Sequence, residues 1–177
     1  MPKTILYIAS SLDGYIAGKD DDLSWLGPFQ DVDYDFAAFF SKIGSIIEGR
    51  RTYDIEIKNG WEYPHPVPLF VLSKDVPAGK PERSDAVFTH DDIAVVLASA
   101  KEKAVPKDVW IEGGANVAQQ FINRGLVDEI ILTLVPVFLG EGIRLFDNMK
   151  ARASLSLKDV RRFDRGLVQL VYTVSKE

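Results

Sequence analysis

Four short stretches of this 177-residue chain combine residue types that could handle an anion or a proton. In Val109-Trp110-Ile111-Glu112-Gly113-Gly114-Ala115-Asn116 an apolar strand runs into two glycines and then a helix start. Free N–H groups and the positive end of a helix dipole then face the same point, where an anion is stabilised. Glycines there let a ligand approach the backbone closely. In Glu48-Gly49-Arg50-Arg51-Thr52 two arginines stand at the start of a second helix. They oppose its dipole, but they suit a phosphate, with the Thr52 hydroxyl as a further donor. Neither stretch is a GxGxxG fingerprint; alone, the first is equally compatible with an ordinary strand-to-helix turn and the second with a solvated basic turn.

The proton side is less defined. Asp31, Asp33 and Asp35 precede an aromatic run, and any of the three could be an acid in a ligand pocket. Each could equally supply an N-cap or a first-turn charge to the following helix. Asp13, in Ser11-Leu12-Asp13-Gly14, is a further candidate acid whose plainer role is an Asx turn. Trp25 and Phe36 could stack on a flat substrate or fill the core. The fourth stretch runs from Val127 to Gly142, where an apolar strand enters a loop of Pro136, Gly140 and Gly142.

These residues need elements to hold them. Strands are expected at Thr4–Ala9, Ser45–Glu48, Leu69–Leu72, Ala86–Thr89, Val109–Ile111 and Glu129–Val135, all short apolar runs. Helices are expected over Asp33–Ile43, Thr52–Lys58, from Asp91 or Asp92 through Ala100, and over Ala115–Arg124 with Gly125 as C-cap. Leu155–Phe163 and Leu167–Val174 flank Asp164-Arg165-Gly166 and read as a hairpin. Alternating strands and helices predict one α/β domain over residues 1–177, with a mostly parallel sheet covered on both faces and an antiparallel strand at its C-terminus.

Composition removes several function classes. With no cysteine, disulfides, thiol nucleophiles and cysteine zinc sites are excluded. His65 and His90 are far apart, and no metal site is expected. A formal charge of -5 makes nucleic acid a poor partner. No apolar run approaches the roughly 20 residues of a membrane span, and the N-terminus does not resemble a signal peptide. A cytoplasmic location is expected.

Taken in order, Ser11-Leu12-Asp13-Gly14 with Ile16-Ala17, Gly49-Arg50-Arg51-Thr52, Glu112-Gly113-Gly114, Gly125-Leu126-Val127-Asp128-Glu129 and Pro136 with Leu139-Gly140 and Gly142 cover nearly the whole chain. The set resembles the dihydrofolate reductase-like family, above all the reductase domain of the bifunctional riboflavin-biosynthesis deaminase-reductase and its stand-alone relatives. The resemblance implies a three-layer αβα sandwich around an eight-stranded sheet, with NADPH as hydride donor. It places Ala9 and Ile16 beside the nicotinamide. It puts Gly49, Arg50, Arg51 and Thr52 at the cofactor phosphates, with Arg50 at the 2′-phosphate. Leu72, Ser73 and Lys74 fall beside the adenosine. Gly113, Gly114, Ala115 and Asn116 fall at the pyrophosphate, with a cis Gly113–Gly114 peptide.

Asp33 matches the acid position on the first helix, with Asp31 and Asp35 as neighbours. Glu112 fits the riboflavin branch better than the folate branch. The zinc deaminase half has no counterpart here. A ribityl-phosphate substrate would require a second cationic cluster, for which Lys74, Arg144 and Arg152 are candidates. A homodimer through Leu132, Leu134, Val137 and Phe138 is also implied. The expected function is reduction of a small heteroaromatic, pterin- or pyrimidine-like substrate, or, in the alternative, ligand binding without turnover.

Overall fold

A computed structural model describes residues 1–75, 81–150 and 152–175. Its frame is an eight-stranded sheet in the order β5-β4-β3-β6-β1-β7-β10-β9. The strands are β1 (Thr4–Ser11), β3 (Ile43–Gly49), β4 (Leu69–Leu72), β5 (Ala86–Thr89), β6 (Asp108–Gly113), β7 (Glu129–Val135), β9 (Leu155–Arg162) and β10 (Val168–Val174). The first six in spatial order pair in parallel, and β10 joins β7 and β9 antiparallel. A separate ribbon pairs β2 (Tyr15–Ala17) with β8 (Ile143–Arg144), and the sequence gives little sign of so short a pairing.

Parallel strands need both faces covered, and four helices do this. On one face α1 (Phe36–Phe40) and α2 (Arg50–Asn59) bring Phe39, Phe40 and Tyr53 onto Ile5, Tyr7, Ile46 and Trp110. On the other, α3 (Ile93–Ala104) and α4 (Ala115–Asn123) bury Val96, Leu97, Phe121 and Ile122 against Leu6, Ile47 and Ile111. The three-layer α/β sandwich with its antiparallel C-terminal strand is therefore present. Asp92 caps α3 by accepting the Ala94 N–H at 2.9 Å, and Gly125 follows α4 with φ +64°.

The expected helix over Asp33–Ile43 is the main correction. Only Phe36–Phe40 is helical, and Ile43 already pairs with Asp108 as the first residue of β3. The Asp33 carboxylate accepts the Asp35 N–H at 3.0 Å, an Asx turn that holds the chain out of the helix. Asp35 then sits in the left-handed region with φ 61° and makes no side-chain cap. The second helix starts at Arg50, two residues before the expected Thr52. No helix among the described residues is long and apolar enough to cross a membrane.

Candidate active site

The C-terminal ends of the parallel strands open into one cavity of about 1080 Å³. This is the rim where α/β sheets hold their ligands, because each strand there hands over to a loop or helix N-terminus. Ala9 and Ile16 line it, as do Gly49, Arg50, Arg51 and Thr52, then Leu72, Ser73 and Lys74, then Gly114, Ala115 and Asn116. The sequence thus places these residues on four strand ends and one ribbon, and the fold gathers them around a single space. Gly113 is buried one step behind, with φ +128° and a cis bond to Gly114. A non-glycine residue would be strained at that φ.

The phosphate-binding features meet physically. α2 and α4 start at Gly49 and Gly114, without a side-chain cap or an acidic residue in either first turn. Their first N–H groups therefore remain available to an anion. A Cβ at Gly114 would come 3.5 Å from Thr52 Oγ1 and 3.6 Å from Ile16 Cδ1, so the glycine keeps this corner open. Arg50 lies over the Phe88 ring at 5.1 Å and donates to Asp54 at 2.7 Å. Arg51 donates to Asp21 at 2.7 Å. The donor set fits a dinucleotide: two helix N-termini for the pyrophosphate and guanidinium groups for a further phosphate.

The sequence-predicted acids lie elsewhere. Asp31, Asp33, Asp35 and Asp13 are all absent from the cavity wall. Asp31 is tied to Arg165, Asp33 to the Asp35 backbone, and Asp35 stands 3.9 Å from Arg161. Asp13 accepts from Ser11 Oγ at 2.6 Å and from the Gly140 N–H at 2.8 Å, clamping the turn after β1 to the loop after β7. Those bonds pull its carboxyl down to about 2, which suits a fixed carboxylate and not a proton donor. Trp25 belongs to the core with Val135 and Leu167, whereas Phe36 does face the cavity.

The wall carries a different acid. Glu112, Glu56 and Tyr63 line the cavity, and Glu48 completes a cluster of three carboxyl groups with oxygens within 4.8 Å of one another. Tyr63 Oη lies 3.1 and 3.2 Å from the two Glu56 oxygens and closer still to Glu112. A phenol has one proton to donate. It cannot satisfy carboxylates on both sides, so one of the two glutamates, which also hydrogen-bond each other, must itself be protonated. Burial raises the Glu56 carboxyl too, but Arg83 opposes that shift: its guanidinium is 3.4 Å from Glu56 and lies over the Tyr63 ring at 4.2 Å, so the negative charge of the pair falls on Glu56. Burial and the neighbouring Glu56 charge push the Glu112 carboxyl well above the ordinary range.

Glu48, the last residue of an apolar strand run, is 0% exposed and both of its oxygens lack a hydrogen-bond partner. Burial pushes it up to about 9, so it is a neutral acid at physiological pH. The cluster therefore holds protons on Glu112 and Glu48 beside an anionic Glu56. In sequence these glutamates look like ordinary charged residues spread over 48–112. The one available signal is that Glu48 and Glu112 each end a buried apolar strand, where an unpaired charge would be costly.

With this geometry in view, comparison with known proteins is direct. Residues 2–169 match the RibD C-terminal domain. The chain belongs to that family. The uncharacterised protein YyaP of Bacillus subtilis (strain 168) is 35% identical over 182 residues, covering 96% of this chain and 94% of its own. A crystal structure of a candidate riboflavin biosynthesis protein from Shewanella sp. PV-4 superposes with a TM-score of 0.86 at 26% identity, over 98% of this chain and 99% of that one. The Thermotoga maritima diaminohydroxyphosphoribosylaminopyrimidine deaminase/5-amino-6-(5-phosphoribosylamino)uracil reductase gives 0.70 at 16% identity, with 98% of this chain matching 57% of that chain. The Thermotoga protein is the one of these named as a reductase, and this chain shares its fold.

Proposed function

We propose that this RibD-family domain is an NADPH-dependent reductase acting on a small heteroaromatic substrate of the pyrimidine or pterin kind. The observation that carries the reading is convergence. Phosphate donors from the N-termini of α2 and α4 share one cavity with a proton-bearing carboxyl, Glu112. NADPH, when bound, supplies the hydride. Gly49, Thr52, Gly114, Ala115 and Asn116 would hold its pyrophosphate through backbone N–H groups and a hydroxyl, and Arg50 its 2′-phosphate. Ala9 and Ile16 would border the nicotinamide, and Leu72, Ser73 and Lys74 the adenosine.

The chain's own contribution to the chemistry is orientation and a proton. Reduction of a C=N or C=O bond leaves a negative nitrogen or oxygen once carbon has accepted its hydrogen. The Glu112 carboxyl gives its proton to that atom, and Tyr63 and Glu56, already hydrogen-bonded to it, stabilise the carboxylate left behind or return a proton from solvent.

Cofactor binding is tested by thermal shift with excess NADPH and NADH on the wild type and Arg50→Ala. Ligand at about 100 times its dissociation constant adds roughly 2.7 kcal/mol of stability. NADPH is expected to raise the melting temperature more than NADH, with the difference shrinking in the variant. No shift with either nucleotide would overturn the reductase reading. Glu112→Gln is expected to keep the NADPH shift and slow turnover of any reduced pyrimidine or pterin on the order of 100-fold, the usual worth of a positioned acid.

A homodimer is also proposed, supported by the sheet. Leu132 and Leu134 of β7 share a face with Leu170 and Tyr172 of β10 and with Leu155, Leu157 and Val160 of β9. None of these side chains is buried, and Leu157 is 56% exposed. A continuous apolar sheet face of this kind calls for a second layer. Phe138, at 76% exposed, stands in the loop beyond β7, while Val137 packs inward.

A further inference from the structure

The cavity has two chemically different ends. Arg50 reaches β5 through Phe88, and Lys74 follows β4, so the cations Arg50 and Lys74 belong to the β5 edge of the sheet. Tyr7 and Thr133, on β1 and β7, line the other end. In the order β5-β4-β3-β6-β1 the two ends are four strand spacings apart, on the order of 19 Å. Around Tyr7 the wall is aromatic, with Phe36 against Tyr7 and Tyr34 against Phe36, and Phe29 and Trp61 also line the cavity. Phe36 sits 6.2 Å from the Tyr7 ring, tilted to it, and 5.9 Å from Trp110, edge-on, which makes this one packed aromatic corner and not a collection of separate rings. The ionisable groups added to it are carboxyls: Glu56, Glu62 and Glu112.

Among the described residues, the cations nearest this end are committed elsewhere. Arg165 holds Asp31, Arg161 holds Asp159 at 2.8 Å, and Arg83 holds Asp85 at 3.0 Å as well as Glu56. None of the three lines the cavity. Arg144, expected as a phosphate ligand, lies over the Tyr15 ring at 4.7 Å and does not line it either, and Arg152 is exposed and equally remote from the wall. Lys74 is on the wall, but at the cofactor end. Among the described residues the Lys and Arg side chains on the cavity wall are Arg50, Arg51 and Lys74, all from the α2 and β4 turns of the cofactor end, so a phosphate dianion brought to the aromatic end would be desolvated beside carboxyl groups with no guanidinium or ammonium on that wall to replace its water.

We infer that the substrate of this site is a planar, uncharged heteroaromatic ring that carries no phosphate. The inference rests on the reductase reading for the word substrate, but the preference itself is a property of the cavity wall. A flat ring gains stacking from the aromatic side chains. The protonated Glu112 on the wall offers it a hydrogen bond without asking for a charge. The reductase half of a deaminase-reductase for a phosphoribosylamino compound has the opposite requirement. On this reading the chain keeps the family's cofactor end and has a differently addressed substrate end.

The test is isothermal titration calorimetry on the full chain, alone and saturated with NADPH, with three probes. These are lumazine, 5-amino-6-ribosylaminouracil and the 5′-phosphate of the latter. Lumazine and the unphosphorylated uracil are expected to bind, with the phosphate form at least tenfold weaker than its unphosphorylated partner. Gln30→Arg, a change at an exposed residue on the cavity wall, should narrow that gap severalfold by supplying the missing cation. Tyr34→Ala should weaken lumazine about tenfold. A phosphate form that binds the wild type as tightly as its partner, or tighter, overturns the inference. So does a protein that binds NADPH but none of the unphosphorylated rings. Failure of NADPH to bind sinks the reductase reading alone, since ring preference is still read on the protein without nucleotide.

Discussion

Glu48 shows how one residue's protonation can couple to the stability of the whole domain. Its folded-state carboxyl titrates near 9, well above the ordinary value of 4.5, because burial and the neighbouring Glu56 disfavour the charge. Between those two values the folded chain keeps a proton that the unfolded chain has released, so stability falls as pH rises through that window. The melting temperature should therefore decline steadily from about pH 5 to pH 9. Glu48→Gln, which keeps the shape and removes one titration, should make that slope shallower, with Glu112 still contributing, and add on the order of 1–3 kcal/mol at pH 8. A wild-type profile already flat over this range would show that Glu48 is not a buried neutral acid. The residue-level site was only half legible in the sequence. The glycine and arginine turns are local, and local turns are readable. The proton-bearing cluster is assembled from α2, β3, β6 and the segment around Tyr63, and no spacing along the chain announces it. The aspartates preceding α1 were conspicuous for the opposite reason: they are clustered in sequence, yet in space they serve turns and surface ion pairs.

At the scale of elements, the strands follow from their apolar runs and the helices from their caps, with errors where tertiary packing overrides local pattern. α1 is short because Phe36, Phe39 and Phe40 must reach Tyr7 and Trp110 while Ile43 already belongs to the sheet. The ribbon of β2 and β8 joins residues far apart in sequence and has no local signature. β3 and α3 meet at a point that tolerates no side chain. A Cβ on Gly44 would lie 2.3 Å from the Ala104 carbonyl oxygen and 2.7 Å from its Cα. Both contacts are backbone, so relief requires moving the end of α3 off the sheet. Gly44→Ala should cost roughly 2–3 kcal/mol, read as a lower denaturant midpoint with the slope unchanged. An unchanged midpoint would mean that the helix end adjusts freely.

At the scale of the molecule, helices cover both faces of the sheet's parallel centre, while one face is left open at β7 and β10 and both at β9. The proposed dimer would close that face. Size-exclusion chromatography with light scattering should give twice 19.7 kDa, and Leu157→Glu should return it to the single-chain mass while leaving the NADPH-induced thermal shift in place. A wild type that runs at the single-chain mass at micromolar concentration would remove the dimer from the account. Length and patterning made the layered architecture readable, since a mostly parallel sheet admits few connections. The uncovered face was visible only in part, through Leu132 and Leu134, because the register that lines them up with β9 is a property of the folded sheet.

The division of the cavity between strand ends and loops has a consequence for how such a protein can change. The phosphate donors are rooted in the sheet, where α2 and α4 leave β3 and β6, and altering them disturbs the frame. Much of the aromatic end comes from one uninterrupted stretch, residues 23–36, lying outside the main sheet and built of short turns. That stretch works as a cassette. Exchanging it between members of the family would transplant ring preference while the hydride donor's berth stays as it was, so a single scaffold can serve many acceptors by rewriting a segment of fourteen residues.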